Sequence, residues 1–166
     1  MSQKKVLILM GSDSDLKVME EAVKALDEFG IASEVHIASA HRTPDRVHDL
    51  ARNARANGFG VVIAGAGMSA HLGGVAAANT TLPVIGVPLA AGALQGVDAL
   101  LSISQMPKGI PVATVTVGSA GAYNAGLLAA AILAVDDAAL AEKLDEFREG
   151  LARKVEEKDA ALKRRS

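Results

Sequence analysis

Short, fully apolar runs alternate along this chain with stretches whose apolar residues recur at helical spacing. The first run, Val6–Met10, ends at Gly11 and is typical of a strand covered on both faces. The stretch after it repeats apolar side chains along one helix face, at Leu16, Met19, Val23 and Leu26. Because parallel strands need long, right-handed crossovers that are usually helical, this alternation predicts a three-layer α/β fold.

Four further segments complete a predicted five-stranded sheet: Ile31–Ile37, Val61–Ala64, Val84–Val87 and Val112–Val117. Later helices are predicted from Thr43-Pro44 onward and at about 71–79, 98–105 and 121–135. The second strand contains Ser33, Glu34 and His36, which suits the edge of a sheet. We therefore predict a flavodoxin-like, doubly wound parallel sheet with strand order 2-1-3-4-5.

Residues 136–166 have a different pattern, a single apolar stripe on an otherwise charged helix: Leu140, Leu144, Phe147, Leu151 and Val155. One stripe can cover either its own domain or a neighbouring subunit, and we expect the neighbour. The chain shows no linker and no internal repeat. We therefore expect one domain over residues 1–166, with an α/β core at 1–135 and a C-terminal helix at 136–166.

Composition narrows the possible partners. The net charge of −2 gives no basic excess, which argues against nucleic-acid binding. The chain has no cysteine, so disulfides, thiolate metal sites and a cysteine nucleophile are excluded. It contains 32 alanines and 16 glycines but only four aromatic residues. Such small side chains bury little apolar area each, so we expect further burial by self-association.

The apolar runs are too short for a signal peptide or a membrane span. We therefore expect a soluble, cytoplasmic protein with no membrane partner.

The chemistry should lie in the loops that follow the first three strands. In a doubly wound sheet, ligands bind beyond the carboxyl ends of the strands, where the strand order reverses. For this chain those loops are Gly11–Asp15, Ser39–Pro44 and Gly65–Gly74.

Gly11-Ser12-Asp13-Ser14-Asp15 leads into a helix and offers backbone N–H groups and hydroxyls to an anion. Taken alone, the turn is more typical of an ordinary helix cap. If it binds a ligand, its carboxylates favour a sugar phosphate over a bare phosphate, with Asp15 accepting from ribose hydroxyls.

In the second loop, Arg42 suits a phosphate and His41 can transfer a proton near neutral pH. The alternative there is a capping turn with a solvated His-Arg pair. In the third loop, His71 either binds an anionic group or caps a helix. His36, within a strand, and His48, on a helix, are more typical of structural histidines.

Several other chemistries fit the residues poorly. No His pair or His/Asp/Glu cluster has metal-ligand spacing, so we expect no metal. No Gly-x-Ser-x-Gly elbow follows a strand, which argues against a serine hydrolase. A phospho-acceptor site would need an Asp after the third strand and a Lys after the fifth, and both are lacking.

Read together, the three loops resemble the class I N5-carboxyaminoimidazole ribonucleotide mutases of purine biosynthesis (PurE). The segments that carry the likeness are Gly11–Asp15, Ser39–Pro44, Ala64–Leu72, Pro83–Pro88, Gly96–Ile103, Gln105–Val112 and Asn124–Ala129. The likeness covers about residues 6–135. One departure is Gly73, which stands where the family usually has proline.

The resemblance implies an enzyme that moves a carboxylate from an exocyclic nitrogen of a ribonucleotide to ring carbon C4, with no cofactor. It implies that His41 is the general acid and base, and that Ser12, Asp15 and Arg42 bind the ribose phosphate. The carboxylate pocket would be lined by Ser39, Gly67, Ser69, Ala70, His71 and Leu72. It also implies a homo-octamer with sites at subunit contacts.

Two alternatives remain open at this point. The related class of enzyme carboxylates aminoimidazole ribonucleotide directly with CO2 and shares most site residues. A non-catalytic nucleotide-binding module of the same fold is the alternative of another kind.

Overall fold

The computed structural model describes residues 4–164 and contains a central parallel sheet. Its strands are β1 (Lys5–Met10), β2 (Ser33–Ile37), β3 (Phe59–Gly67), β4 (Val84–Leu89) and β5 (Ala113–Thr114). They lie in the order β2-β1-β3-β4-β5, and every neighbouring pair is parallel. The predicted fold class and strand order are therefore confirmed.

Helices cover both faces of the sheet. They are α1 (Leu16–Glu28), α2 (Pro44–Asn53), α3 (Leu72–Asn79), α4 (Val97–Ser104), α5 (Ser119–Ala134) and α6 (Ala138–Lys163). A short 3₁₀ turn, Asp13–Asp15, precedes α1. As predicted, Thr43 is the residue before α2 and Pro44 is its first residue, where a missing N–H costs nothing.

The core is divided by the sheet into two layers, because successive side chains of a strand point to opposite faces. Val6, Ile8 and Met10 of β1 pack with α1, α5 and the start of α6. Leu7 and Leu9 pack on the other face with α2 and α3. Strands covered on both faces must be apolar throughout, which explains the continuous runs in the sequence.

The fifth strand is shorter than predicted. Only Ala113 and Thr114 pair regularly with β4, whereas the prediction covered Val112–Val117. Two more bonds to β4 follow, from the N–H of Val115 and the N–H of Gly118, but the ladder is irregular there. An apolar run predicts that a segment is buried, but it does not determine how regularly an edge segment pairs.

The stripe on α6 is divided between two environments. Leu140 is buried, and Leu144 and Phe147 pack against the core formed by α1 and α5. Phe147 meets Phe29 edge-on, with ring centroids 5.6 Å apart. The first half of α6 therefore lies on its own domain. Further along the same stripe, Leu151 and Val155 are 47% and 67% exposed.

Among residues 4–164, no helix combines the length and the apolar character that crossing a bilayer requires.

Close contact between α1 and α5 depends on Gly126. A Cβ added there would lie 2.6 Å from the Cβ of Ala25 and 2.8 Å from the carbonyl oxygen of Ala22. The second of these is backbone and cannot move without shifting α1. By contrast, a Cβ added at Gly150, on α6, would meet only the end of the Arg153 side chain at 3.8 Å.

We expect Gly126→Ala to destabilise the fold by about 1–3 kcal/mol, because overpacking outweighs the better helix propensity of alanine. The matched change Gly150→Ala should stabilise it by about 0.5–1 kcal/mol, because nothing opposes that propensity. Thermal denaturation followed by circular dichroism should show Tm moving in opposite directions. An increase in Tm for both variants would mean that α1 and α5 are not in tight contact.

Candidate active site

The loops after β1, β2 and β3 meet at one edge of the sheet around a cleft of about 360 Å³. The cleft lies at the carboxyl ends of the strands, beside the point where the strand order reverses between β1 and β3. Nine of the ten residues singled out from the sequence line it: Ser12, Asp15, Ser39, His41, Arg42, Gly67, Ser69, His71 and Leu72.

Ala70 is the exception. It is only 2% exposed and packs with Ala99 and Ile103 of α4, beneath the loop that carries its neighbours. Its contribution is to hold the β3 loop against α4.

Six lining residues were not singled out from the sequence: Gly11, Ser14, Ala40, Ala66, Met68 and Ala91. Five of them belong to the three loops already identified or to the end of β3. Ala91 comes from the loop after β4, so the fourth strand end also contributes to the cleft. Ala91 could have been predicted from the sequence, because ligands bind beyond the carboxyl ends of parallel strands and the loop after β4 leaves from such an end.

The turn after β1 is a helix cap and a wall of the cleft at the same time. The Ser12 hydroxyl accepts from the N–H of Ser14 at 3.3 Å, and Oδ2 of Asp15 accepts from the N–H of Ser12 at 3.2 Å. This reciprocal pair is a capping box. The capping interpretation of these residues therefore holds, and it does not compete with binding because the same groups face the cleft.

Partial burial raises the pKa of the Asp15 carboxyl above its usual value. Hydrogen bonds from Ser12, Ser14 and Gly11 and the charge of Arg42 act in the opposite direction, but desolvation is the largest influence. The ionised carboxylate is thus kept in the cleft at some cost to stability.

Arg42 ties the β2 loop to the β1 loop. Its Nη2 donates to the carbonyl of Gly11 at 2.8 Å, and its Nε donates to the hydroxyl of Ser39 at 3.4 Å. A guanidinium has five N–H donors, so three remain for a ligand. Thr43 does not cap α2 with its hydroxyl, which instead accepts from the N–H of Ser39 at 2.9 Å. Ser39 and Arg42 are therefore fixed before any ligand arrives.

The two cleft histidines contact each other. Nε2 of His41 lies 2.8 Å from Nδ1 of His71, and the rings are nearly perpendicular at 81°. His71 occupies the cap position of α3 but makes no capping bond with its side chain. Of the two roles left open for His71, helix capping is therefore not the one its side chain performs. Both histidines are exposed in the single chain.

Met68 forms an open wall of the cleft in an uncommon conformation. Its φ of 54° lies in the left-handed region, which few residues other than glycine adopt. Its side chain is 56% exposed. The chain turns sharply here between β3 and α3, and this turn directs Ser69 and His71 toward the cleft.

Within residues 4–164, no three His, Cys, Asp or Glu side chains are grouped so that they could hold a metal ion. The chemistry available to the cleft's own side chains is proton transfer by imidazole and anion binding by guanidinium, hydroxyl and backbone N–H groups.

The raised pKa of Asp15 gives a pH-dependent prediction for Asp15→Asn, which keeps an oxygen acceptor for the Ser12 N–H. In the wild type, the ionised carboxylate lowers stability as pH rises above the unfolded-state value of 3.8, and this cost is complete above the folded-state pKa. The Tm of the variant minus that of the wild type should therefore increase between about pH 3 and pH 7.

The matched control is Asp13→Asn, which removes one charge from an exposed position in the same turn. A Tm difference for Asp15→Asn that stays constant with pH, or follows that control, would contradict the burial of the carboxyl.

Comparison with known proteins gives a consistent result. The family described as AIR carboxylase, where AIR is aminoimidazole ribonucleotide, matches residues 5–154. An N5-carboxyaminoimidazole ribonucleotide mutase of Brucella melitensis is 56% identical over 153 residues, which is 92% of this chain and 94% of the relative. The enzyme of the same name from Bacillus subtilis is 55% identical and covers 93% and 96% of the two chains.

Among solved structures, Treponema denticola PurE is similar with a TM-score of 0.88 and 33% identity, covering 96% of this chain and 99% of that one. The similarity thus extends through the sheet, the cleft loops and most of the tail. By sequence and by structure, this chain belongs to the AIR carboxylase family.

Proposed function

We propose that this protein is an N5-carboxyaminoimidazole ribonucleotide mutase, an isomerase that acts in purine biosynthesis. It moves a carboxylate from the exocyclic N5 of its substrate to ring carbon C4, giving 4-carboxy-5-aminoimidazole ribonucleotide. The observation that carries the proposal is the placement of His41 in a cleft beside Arg42, with small side chains around it. Relatives that are more than half identical over nearly the whole chain bear the mutase name.

In this proposal the ribose phosphate lies against the turn after β1. Arg42 has three unused N–H donors, and the Ser12 hydroxyl lies in the same part of the cleft. Asp15, with its carboxylate already fixed by Ser12, accepts from a ribose hydroxyl. The charged groups are thus concentrated at the phosphate end.

The carboxylate lies at the other end, between the β2 and β3 loops. Ser39, Gly67, Ser69, His71 and Leu72 line this part of the cleft. Ala70 supports it from below. A Cβ added at Gly67 would lie 3.0 Å from the Cβ of Ala91, so a larger residue there would crowd the loop after β4. Glycine and alanine walls leave space for CO2 but offer it no strong binding partner.

Chemically, one proton must arrive at N5 and one must leave C4. His41 gives the first proton, the N5–carboxylate bond breaks, and CO2 is released beside the ring. C4 then attacks the CO2, and His41 takes the C4 proton, so no proton is gained or lost overall. Holding CO2 next to C4 makes its recapture effectively intramolecular, which replaces a low free concentration by a large effective one.

The decisive assay offers the purified protein N5-carboxyaminoimidazole ribonucleotide, labelled with 13C in its carboxylate, in unlabelled bicarbonate. We expect product that retains the label, because the released CO2 stays in the cleft. Product formed only from aminoimidazole ribonucleotide and bicarbonate would identify a direct carboxylase. Nucleotide binding with no product from either substrate would identify a binding module.

His41→Asn is the catalytic control for this assay. It should lower kcat by about 10²–10⁴-fold, the usual contribution of a general acid–base group, with product binding retained. His48→Asn is the matched change outside the cleft, since His48 lies on α2 and contacts Arg52. Turnover in His41→Asn equal to that of His48→Asn would remove His41 from the mechanism.

We also propose that the protein is a homo-oligomer, an octamer, whose subunits complete one another's sites, and that it works in the cytoplasm. Residues 1–166 form one catalytic domain in this proposal, and the second half of α6 packs on a neighbouring subunit. Support comes from the apolar side chains that the single chain leaves uncovered, at Leu151 and Val155 on α6 and at Leu94, Val97 and Leu101 near α4. His41, His71 and Met68 are likewise exposed beside the cleft.

Assembly can be tested by light scattering after size-exclusion chromatography. We expect a mass eight times that of the 17.0 kDa chain. Leu151→Glu should lower this mass, because a carboxylate cannot be buried in an apolar interface without a partner. Ala160→Glu adds the same charge on the opposite face of α6 and should not change the mass. A monomeric wild type at micromolar concentration would contradict the proposal.

A further inference from the structure

The contact between His41 and His71 constrains where their protons can be. A neutral imidazole carries one N–H, and its other nitrogen is an acceptor. A hydrogen bond between Nε2 of His41 and Nδ1 of His71, 2.8 Å apart, needs one donor and one acceptor. For two neutral rings only two arrangements satisfy it: both rings are protonated on Nε2, or both are protonated on Nδ1. The tautomer of one ring therefore determines that of the other.

We propose that His71 is a positioning residue for His41 and that its Nδ1 remains the acceptor of the His41 Nε2–H bond throughout turnover. His41 then exchanges protons with the substrate only through Nδ1. His71 keeps its own proton on Nε2, where it can donate to the substrate carboxylate. This inference rests on the proposed function, because it assigns an atom of His41 to the proton transfer described there.

The substrate chemistry of the proposed function favours this arrangement over the opposite one. Within residues 4–164, neither Nδ1 of His41 nor Nε2 of His71 bonds to another protein group, so both nitrogens are free for a ligand in the cleft. An anionic carboxylate needs a donor at His71, which only the Nε2–H form supplies. When His41 carries two protons, its bond to His71 becomes charge-assisted and therefore stronger.

The protons balance over one turnover when His41 exchanges them only through Nδ1. Doubly protonated His41 gives its Nδ1 proton to N5 as the N–C bond breaks, and it becomes the neutral Nε2–H form. Nδ1 is then an acceptor and takes the proton from C4 after the new C–C bond has formed. His71 neither gains nor loses a proton in the cycle. Its effect is to hold one ring orientation and one tautomer of His41 for both steps.

The pairing can be measured on the unliganded protein by solid-state NMR with 15N-labelled histidine, a method that does not depend on assembly size. The chain has four histidines, so single replacements assign the signals. At about pH 9, where imidazoles are neutral, we expect both cleft rings to be protonated on Nε2. We also expect a 15N–15N correlation between His41 Nε2 and His71 Nδ1. Protonation of His41 on Nδ1, or the absence of that correlation, would overturn the inference.

Two replacements separate positioning from a purely structural role. In His71→Asn the amide oxygen stands near the former Nδ1 and can accept the same bond, whereas His71→Ala offers no acceptor. We expect His71→Ala to show mixed tautomers of His41 and about a 10–100-fold lower kcat, the usual cost of losing such a supporting bond. His71→Asn should keep the His41 tautomer and recover part of the kcat, because it restores the acceptor for His41 but not the Nε2–H donor. Equal loss in the two variants with an unchanged His41 tautomer would refute positioning.

These outcomes are separable from those of the proposed function. Mutase activity in a protein whose histidines are not paired would overturn this inference alone. Paired histidines in a protein without mutase activity would overturn the proposed function, and with it the role of Nδ1 in turnover, but would leave the tautomer pairing established.

Discussion

Parallel pairing of β1 with β2 on one side and β3 on the other is the constraint on which the rest of the structure depends. Met10, the last residue of β1, lies opposite Ile37 of β2 and Gly65 of β3. The chain must therefore leave all three strands at the same edge of the sheet. The chain leaves β1 toward β2 on one side and leaves β3 toward β4 on the other side. The helices that follow β1 and β3 therefore lie on opposite faces of the sheet and leave a crevice between them. Ser12, Arg42 and His71 come from three separate segments and share one cleft for this reason.

Small side chains allow this framework to be rigid although it has few aromatic residues. A Cβ at Gly126 would collide with the backbone of α1, and a Cβ at Gly67 would touch Ala91. At such positions the backbones of neighbouring segments lie close together, and the close packing gives many dispersion contacts. The same composition shapes the cleft, whose walls include Ala40, Ala66 and Ala91. In the proposed function, such walls leave space for a small neutral molecule such as CO2.

The polar groups of the cleft are organised before a ligand binds, and they serve folding as well as binding. Ser12 and Asp15 cap the turn after β1 while facing the cleft, and Arg42 links the first two loops through the carbonyl of Gly11. The raised pKa of Asp15 indicates that its charge is retained at a cost to stability. A stability cost of this kind is common where a group is placed for a ligand rather than for the fold. His41 and His71 extend this organisation, since each limits the orientation of the other.

By itself, the sequence determined the fold class, the strand order and the loops that carry the site. Apolar periodicity reports directly on which segments are strands covered on both faces and which are helices covered on one. Ser33, Glu34 and His36 were sufficient to place β2 at an edge. Only the tertiary structure decided the contacts between segments distant in the chain. These are the bond between His41 and His71, the packing of Ala70 against α4 instead of in the cleft, and the place of Ala91 in the cleft wall. It also decided how little of β5 pairs regularly and how much of the α6 stripe its own domain covers. These features depend on distances between side chains in different loops, which no local pattern encodes because packing sets them only when the whole sheet and its helices are in place.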